Sequence, residues 1–304
     1  MANASTCLQK SCWIIRRIVE FSSFDPIPMN EPSSPDQSRR VTLSVIIPCF
    51  NEINTLAACV ANVIASCEAK ADLEIIIVDD ASTDDSLAEA KRLAGADPRV
   101  RVVGQATNRG KGAALRDGFQ LATGNFVVVQ DADLEYDPRD IPALLGPLVN
   151  GRADVVIGSR FLSGGAHRVL YFWHSVANRF LTLLSNAFSD LNLTDIESCY
   201  KVFRREVIQG LHLEEDRFGF EPEVVAKVAL QGHRIYEMGI SYHGRTYEEG
   251  KKIKATDGLR AIFCILRYNL PSQRPPVRLM YGMLAAGFLG GTFALLVLFI
   301  VAIL

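Results

Sequence analysis

The stretch NFVVVQDADLEYDP, Asn125–Pro138, decides the fold. Phe126 to Val129 form an apolar run without alternation, as expected of a strand buried on both faces. The strand, Asn125–Gln130, ends in Asp131-Ala132-Asp133. Asp137 then sits where a helix needs a cap, with Pro138 in the first helical position. Outward from this stretch the same kind of run recurs at Leu43–Ile47, Leu73–Val78, Val100–Val103 and Asp154–Gly158. Between the runs, Asn54–Cys67, Asp84–Leu93 and Lys111–Ala122 carry apolar residues at helical spacing. Buried strands alternating with helices predict an α/β fold, Rossmann-like, with a mostly parallel sheet flanked by helices. Ligands of such sheets bind beyond the carboxyl ends of the strands. Three predicted strands end there in charge, at Asp79-Asp80, Asp131-Ala132-Asp133 and Ser159-Arg160. After Gly165 the pattern loosens into a long helix, Leu170–Ser189, a strand, Cys199–Arg204, a helix, Pro222–Gln231, and a last strand, Arg234–Tyr242.

The chain has 304 residues, and 32 Lys/Arg against 34 Asp/Glu leave a net charge of −2, which argues against a nucleic-acid partner. The charge is uneven. From Arg245 to Arg278 eight basic and three acidic residues give +5, so residues 1–244 carry −7. Leu279–Leu304 are 26 residues without a charge. As a helix they would run about 39 Å, more than the ~30 Å hydrocarbon core of a bilayer, and predict a C-terminal transmembrane helix. A basic collar before it predicts a catalytic domain on the cytoplasmic side of the inner membrane. Thr256–Leu270 reads as an amphipathic interfacial helix, with packing against the domain as the alternative. Gly287 and Gly291 form a G-x-x-x-G, which either packs helices in a homo-oligomer or reflects the small residues of any membrane helix. Residues 1–40, with Pro26, Pro28, Pro32 and Pro35, read as a weakly ordered extension. The domain plan is therefore 1–40 extension, 41–250 globular domain, 251–278 basic juxtamembrane segment and 279–304 membrane helix. Seven cysteines without a C-x-x-C pair suggest neither a disulfide framework nor a zinc site.

Two carboxylates at i and i+2 beyond a strand end can converge on one hard divalent cation, Mg²⁺ or Mn²⁺. Asp131 and Asp133 are the candidates, and Glu135 continues the spacing as a third ligand. Such a cation would hold a diphosphate. Asp79 and Asp80 can accept from a nucleobase or ribose. Asn108-Arg109-Gly110-Lys111-Gly112 opens a helix, so its backbone N–H groups and Lys111 offer an anion site, or simply a loop-to-helix turn. Arg160, Arg179 and Arg245 are further cations placed to face the same pocket. None of the five histidines has the spacing of a metal ligand or a catalytic partner.

The ordered set VIIPCFNE (Val45–Glu52), IIIVDDASTD (Ile75–Asp84), NRGKGAALRDGF (Asn108–Phe119), the Asn125–Pro138 stretch, DVVIGSRF (Asp154–Phe161), DIESCYKVFRREVI (Asp195–Ile208), FGFEPEV (Phe218–Val224) and ISYHGRTYEEGKKI (Ile240–Ile253) resembles glycosyltransferase family 2. More narrowly it is similar to the polyprenyl-phosphate group, such as dolichol-phosphate mannose synthase and bactoprenol glucosyltransferase. The resemblance implies the GT-A fold and a nucleotide-sugar donor. Pro48, Phe50, Glu52, Asp79 and Asp80 would line the nucleotide pocket. Asp131 and Asp133 would be the D-x-D that binds the metal and the diphosphate. Arg160, Arg179 and Arg245 would hold the acceptor or donor phosphates. The implied reaction is inverting hexose transfer from a UDP- or GDP-sugar to undecaprenyl or dolichyl phosphate at the lipid membrane. The alternative is a membrane-tethered family 2 enzyme acting on a protein or glycan.

Overall fold

A computed structural model describes residues 40–162, 168–169, 171–246, 248–249 and 255–270. The expectations for the N-terminal extension, the G-x-x-x-G and the membrane span at 279–304 fall outside these residues. Among the described residues no helix is long and apolar enough to cross a membrane.

Seven strands form one sheet: β1 (Val41–Cys49), β2 (Ala71–Asp79), β3 (Val100–Gly104), β4 (Phe126–Val129), β5 (Val155–Ser159), β6 (Lys201–Arg204) and β7 (Ile235–Gly239). Their order is β3-β2-β1-β4-β6-β5-β7. Only β6 runs against its neighbours β4 and β5; all other pairs are parallel. The helices are α1 (Leu56–Cys67), α2 (Ser86–Ala96), α3 (Lys111–Leu121), α4 (Ile141–Val149), α5 (Phe172–Ser189), α6 (Arg205–Gly210), α7 (Phe220–Leu230) and α8 (Ala255–Asn269). Val45, Ile46 and Ile47, Ile75 to Val78 and Val127 to Val129 are wholly buried, which is why the strands read as continuous apolar runs. Asp137 caps the one-turn helix Pro138–Asp140 that leads into α4, its carboxylate accepting from the Arg139 N–H.

One expectation is corrected. The apolar stripe of α8 is not free for a membrane surface. Ala261, Cys264, Ile265 and Tyr268 are buried, and the helix packs on α5 and α7. Arg260 clamps Glu215 through two bonds of 2.9 and 2.8 Å, and Arg267 pairs with Glu214 at 3.0 Å. Tyr268 Oη also donates to Glu215, at 2.9 Å. The loop before α7 therefore supplies charge partners that sequence spacing alone does not reveal.

Helix α3 lies close on the sheet because Gly118 faces it. A Cβ there would come within 2.4 Å of Ile46 Cγ2 and 3.3 Å of Val78 Cγ2. Gly118→Val is expected to cost about 1–3 kcal/mol by overpacking, seen as a lower denaturation midpoint. Gly146→Ala, in open space on α4, is expected to be neutral or stabilising by up to about 1 kcal/mol.

Candidate active site

The carboxyl ends of β1, β2, β4 and β5 share one edge of the sheet. Chain geometry just beyond β4 presents its acids. Leu134 adopts φ 63°, and the Glu135 N–H donates to Asp133 Oδ1 at 3.1 Å, so the loop turns back on itself. Gln130 and Cys59 both donate to the Asp131 carbonyl, at 3.0 and 3.5 Å, which anchors the first residue of the D-x-D.

Each of the three acids has a partner. Lys111 Nζ lies 3.0 Å from Asp131 Oδ1 and 3.2 Å from Glu221 Oε1. Arg245 places Nη2 2.9 Å from Asp133 Oδ2 and 3.6 Å from Glu52 Oε1, and Nε 3.2 Å from Glu135 Oε1. Glu135 also accepts from Tyr242 Oη at 2.7 Å and from the Arg245 backbone N–H at 3.1 Å. Burial and the Asp131 and Glu135 charges push the Asp133 carboxyl up to about 7, against the pull of Arg245.

One expectation changes. Glu135 does not join Asp131 and Asp133 as a third ligand, because Tyr242 and Arg245 hold its carboxylate. Among the described residues no three His, Cys, Asp or Glu side chains are placed to hold a metal together. The anions that Lys111 meets are the chain's own: its ammonium pairs with Asp131 and Glu221. Asp131 and Asp133 do suit a hard cation chemically. They present carboxylate oxygens, and burial together with the neighbouring acids raises the Asp133 carboxyl in spite of Arg245.

The nucleotide-pocket candidates divide as well. Pro48 pairs opposite Val78, one residue before the pairing ends at Cys49 and Asp79, and Phe50 follows at the same edge. The Glu52 N–H donates to Ser86 Oγ at 2.8 Å, and its carboxylate accepts from Thr55 Oγ1 at 2.9 Å. Asp79 is fully buried; its Oδ2 accepts from the Ser82 N–H at 3.0 Å, while Oδ1 has no partner among the described residues. Asp80 is used up internally. Its oxygens accept from the Arg109 N–H at 2.6 Å and the Gly110 N–H at 2.7 Å. The glycine-rich turn therefore does bind an anion, and that anion is Asp80. Gly110 is required by its φ of +103° and by the Asp216 carbonyl, which would lie 2.5 Å from a Cβ.

Beyond β5, Arg160 is held by Asp195 through two bonds of 2.7 and 2.8 Å. Asn178 of α5 donates to the same carboxylate at 3.1 Å. Arg179, the next residue, is exposed, with its guanidinium against the Phe161 ring. Asp195, Glu197, Glu221 and Tyr242 carry roles that spacing did not reveal. The available signal was the pair of acids at Asp195 and Glu197, two apart, before the Lys201–Arg204 strand. Burial and the charge of Glu221 raise the Glu197 carboxyl to about 8. Lys201, wholly buried, donates to the carbonyls of Ile196 and Ser198. Glu223 accepts from the N–H groups of Glu214 and Glu215, at 2.7 and 2.9 Å, and fixes the loop before α7.

An α/β sheet edge with a D-x-D among cations is the arrangement of a GT-A-like glycosyltransferase. Residues 44–211 match the model of glycosyl transferase family 2, and the chain belongs to that family. It is 30% identical over 250 residues to undecaprenyl-phosphate mannosyltransferase of Micrococcus luteus, covering 78% of this chain and 98% of that one. It is 29% identical to dodecaprenyl-phosphate galacturonate synthase of Rhizobium johnstonii, covering 74% of this chain but 65% of the relative. It is also 29% identical to dolichol-phosphate mannosyltransferase of Pyrococcus furiosus, covering 75% and 64%. In fold it is similar to glucosyl-3-phosphoglycerate synthase of Mycobacterium tuberculosis solved with Mn²⁺, UDP and phosphoglyceric acid. The TM-score is 0.58 at 23% identity, covering 75% of this chain and 78% of that one. The same enzyme is also solved with Mg²⁺ and UDP.

Asp80→Ala would leave the buried Gly110 N–H and the part-buried Arg109 N–H without their acceptor. It is expected to lower stability by about 2–4 kcal/mol, measured by urea unfolding.

Proposed function

We propose that the chain transfers a hexose from a nucleotide sugar, UDP- or GDP-linked, to a polyprenyl phosphate at the cytoplasmic face of the inner membrane, with inversion. The observation that carries this reading is the D-x-D facing Arg245, with Arg160 and Arg179 beyond the neighbouring β5 strand end. The names of the three relatives support it.

Asp131 and Asp133 would hold Mg²⁺ or Mn²⁺. When bound, that cation supplies neutralising charge to the leaving nucleoside diphosphate. Asp79 offers its unpartnered oxygen to a nucleobase or ribose donor. The acceptor, a phosphate monoester with a second pKa near ~6, is a dianion at neutral pH. It therefore needs no strong general base. It does need positive charge behind the anomeric carbon, which Arg160, Arg179 and Arg245 would supply.

A lipid acceptor also explains the face of α5. Phe172, Trp173, Val176 and Leu183 recur along it at helical spacing and remain exposed, with Val169 just before the helix and Leu259 and Phe263 exposed on α8. Arg179 lies among them, suiting anionic headgroups.

The test is transfer from labelled UDP-Glc, UDP-Gal, UDP-GlcNAc and GDP-Man to undecaprenyl phosphate in membranes, with Mg²⁺ or Mn²⁺ and with EDTA. Label in an organic-extractable, mild-acid-labile lipid is expected, and it should vanish with EDTA and in Asp133→Ala. No lipid label from any donor, with nucleotide binding intact, would move the acceptor to a protein or glycan. Arg245 neutralises the carboxylate that a cation would need. Arg245→Gln is therefore expected to bind Mn²⁺ about fivefold more tightly without nucleotide, equivalent to ~1 kcal/mol, read by electron paramagnetic resonance of free Mn²⁺.

A further inference from the structure

Charged and aromatic groups alternate along the rim between the D-x-D loop and helix α5. Tyr242 donates its hydroxyl to Glu135 at 2.7 Å. The Arg160 guanidinium lies 5.2 Å from the centre of the Tyr242 ring and 5.9 Å from that of Phe161. The Arg179 guanidinium lies 5.8 Å from the same Phe161 centre. A ladder of Tyr242, Arg160, Phe161 and Arg179 thus links the acidic loop to α5.

The two arginines are held differently. Arg160 is immobilised by its paired bonds to Asp195 and by a second ring, that of Tyr242. Arg179 pairs with no carboxylate among the described residues, although Asn178 beside it is locked onto Asp195. What gives the Arg179 side chain a direction is the Phe161 ring. That ring is 38% exposed, next to a wholly buried strand end at Ser159.

We propose that Phe161 is a positioning residue that holds Arg179 beside Arg160, so that the two guanidinium groups clamp the phosphate of the acceptor. This rests on the reading of the acceptor as a phosphate. Phe161 touches no reacting atom; it acts through the quadrupole of its ring, which favours a cation over its face. The interaction therefore needs an aromatic ring and not merely apolar volume. A ring that only filled space would be replaced by leucine without loss.

Kinetics and binding of Phe161→Leu, Phe161→Tyr, Arg179→Ala and Phe161→Leu/Arg179→Ala test this in the full chain. In Phe161→Leu the KM for undecaprenyl phosphate is expected to rise about fivefold, with kcat and the nucleotide-sugar KM unchanged. Phe161→Tyr should restore the parent value, and the double variant should be no worse than Arg179→Ala. An unchanged acceptor KM in Phe161→Leu would overturn the proposal. So would a loss that is additive with Arg179→Ala, or one that appears in kcat and the donor KM alike. Titration with farnesyl phosphate, read by calorimetry, separates the clamp from the proposed reaction because it requires no turnover. If the parent chain binds farnesyl phosphate and Phe161→Leu binds it equally well, the clamp is wrong even where transfer succeeds. If the parent chain binds it, Phe161→Leu binds it about fivefold more weakly, and nothing is transferred, the clamp stands and the proposed reaction falls. If the parent chain neither binds farnesyl phosphate nor transfers to the lipid, the phosphate acceptor and the clamp fall together.

Discussion

Crowded negative charge at one sheet edge is the constraint on which the rest of the site depends. Parallel strands bring their carboxyl ends together, and here those ends carry Asp79, Asp131, Asp133 and Glu135 within a few residues of wholly buried strands. Carboxylates so close and so poorly solvated need cations. The surrounding architecture meets that need from two directions: α3 contributes Lys111, which Glu221 of α7 shares, and the segment after β7 contributes Arg245.

The cations are not equivalent. Lys111 is deep, divided between Asp131 and Glu221, and holds the first D-x-D acid in place. Arg245 is on an irregular segment beside the second acid and reaches three carboxylates, at 2.9, 3.2 and 3.6 Å. A planar guanidinium with five donors suits such shared recognition, and suits a phosphate equally. A second ionic layer, Arg160 with Asp195 and Asn178, ties the end of β5 to α5, so the exposed apolar face of α5 has a set position relative to the site.

Much of this was legible from residue order. The apolar runs, the D-x-D at a strand end and the capping Asp137 all depend on local chemistry, and each appears where the pattern puts it. The internal partners of Lys111, Asp80, Glu135 and helix α8 were not legible, for one shared reason. A charged side chain near a pocket looks the same in sequence whether it faces a ligand or another side chain. Asp80 fills the turn at Gly110, and Glu215 lies 45 residues from its partner Arg260.

The sequence by itself determined the α/β alternation, the sheet edge where the chemistry gathers and the residues of the D-x-D, because hydrophobic periodicity and strand-end position are local properties. Only the tertiary structure decided which charges neutralise one another and which remain for ligands. Those pairings join segments from 20 to more than 100 residues apart, as Lys111 with Asp131 and Asp133 with Arg245 show. Their energies depend on burial and distance, and both come into being only when the chain has folded.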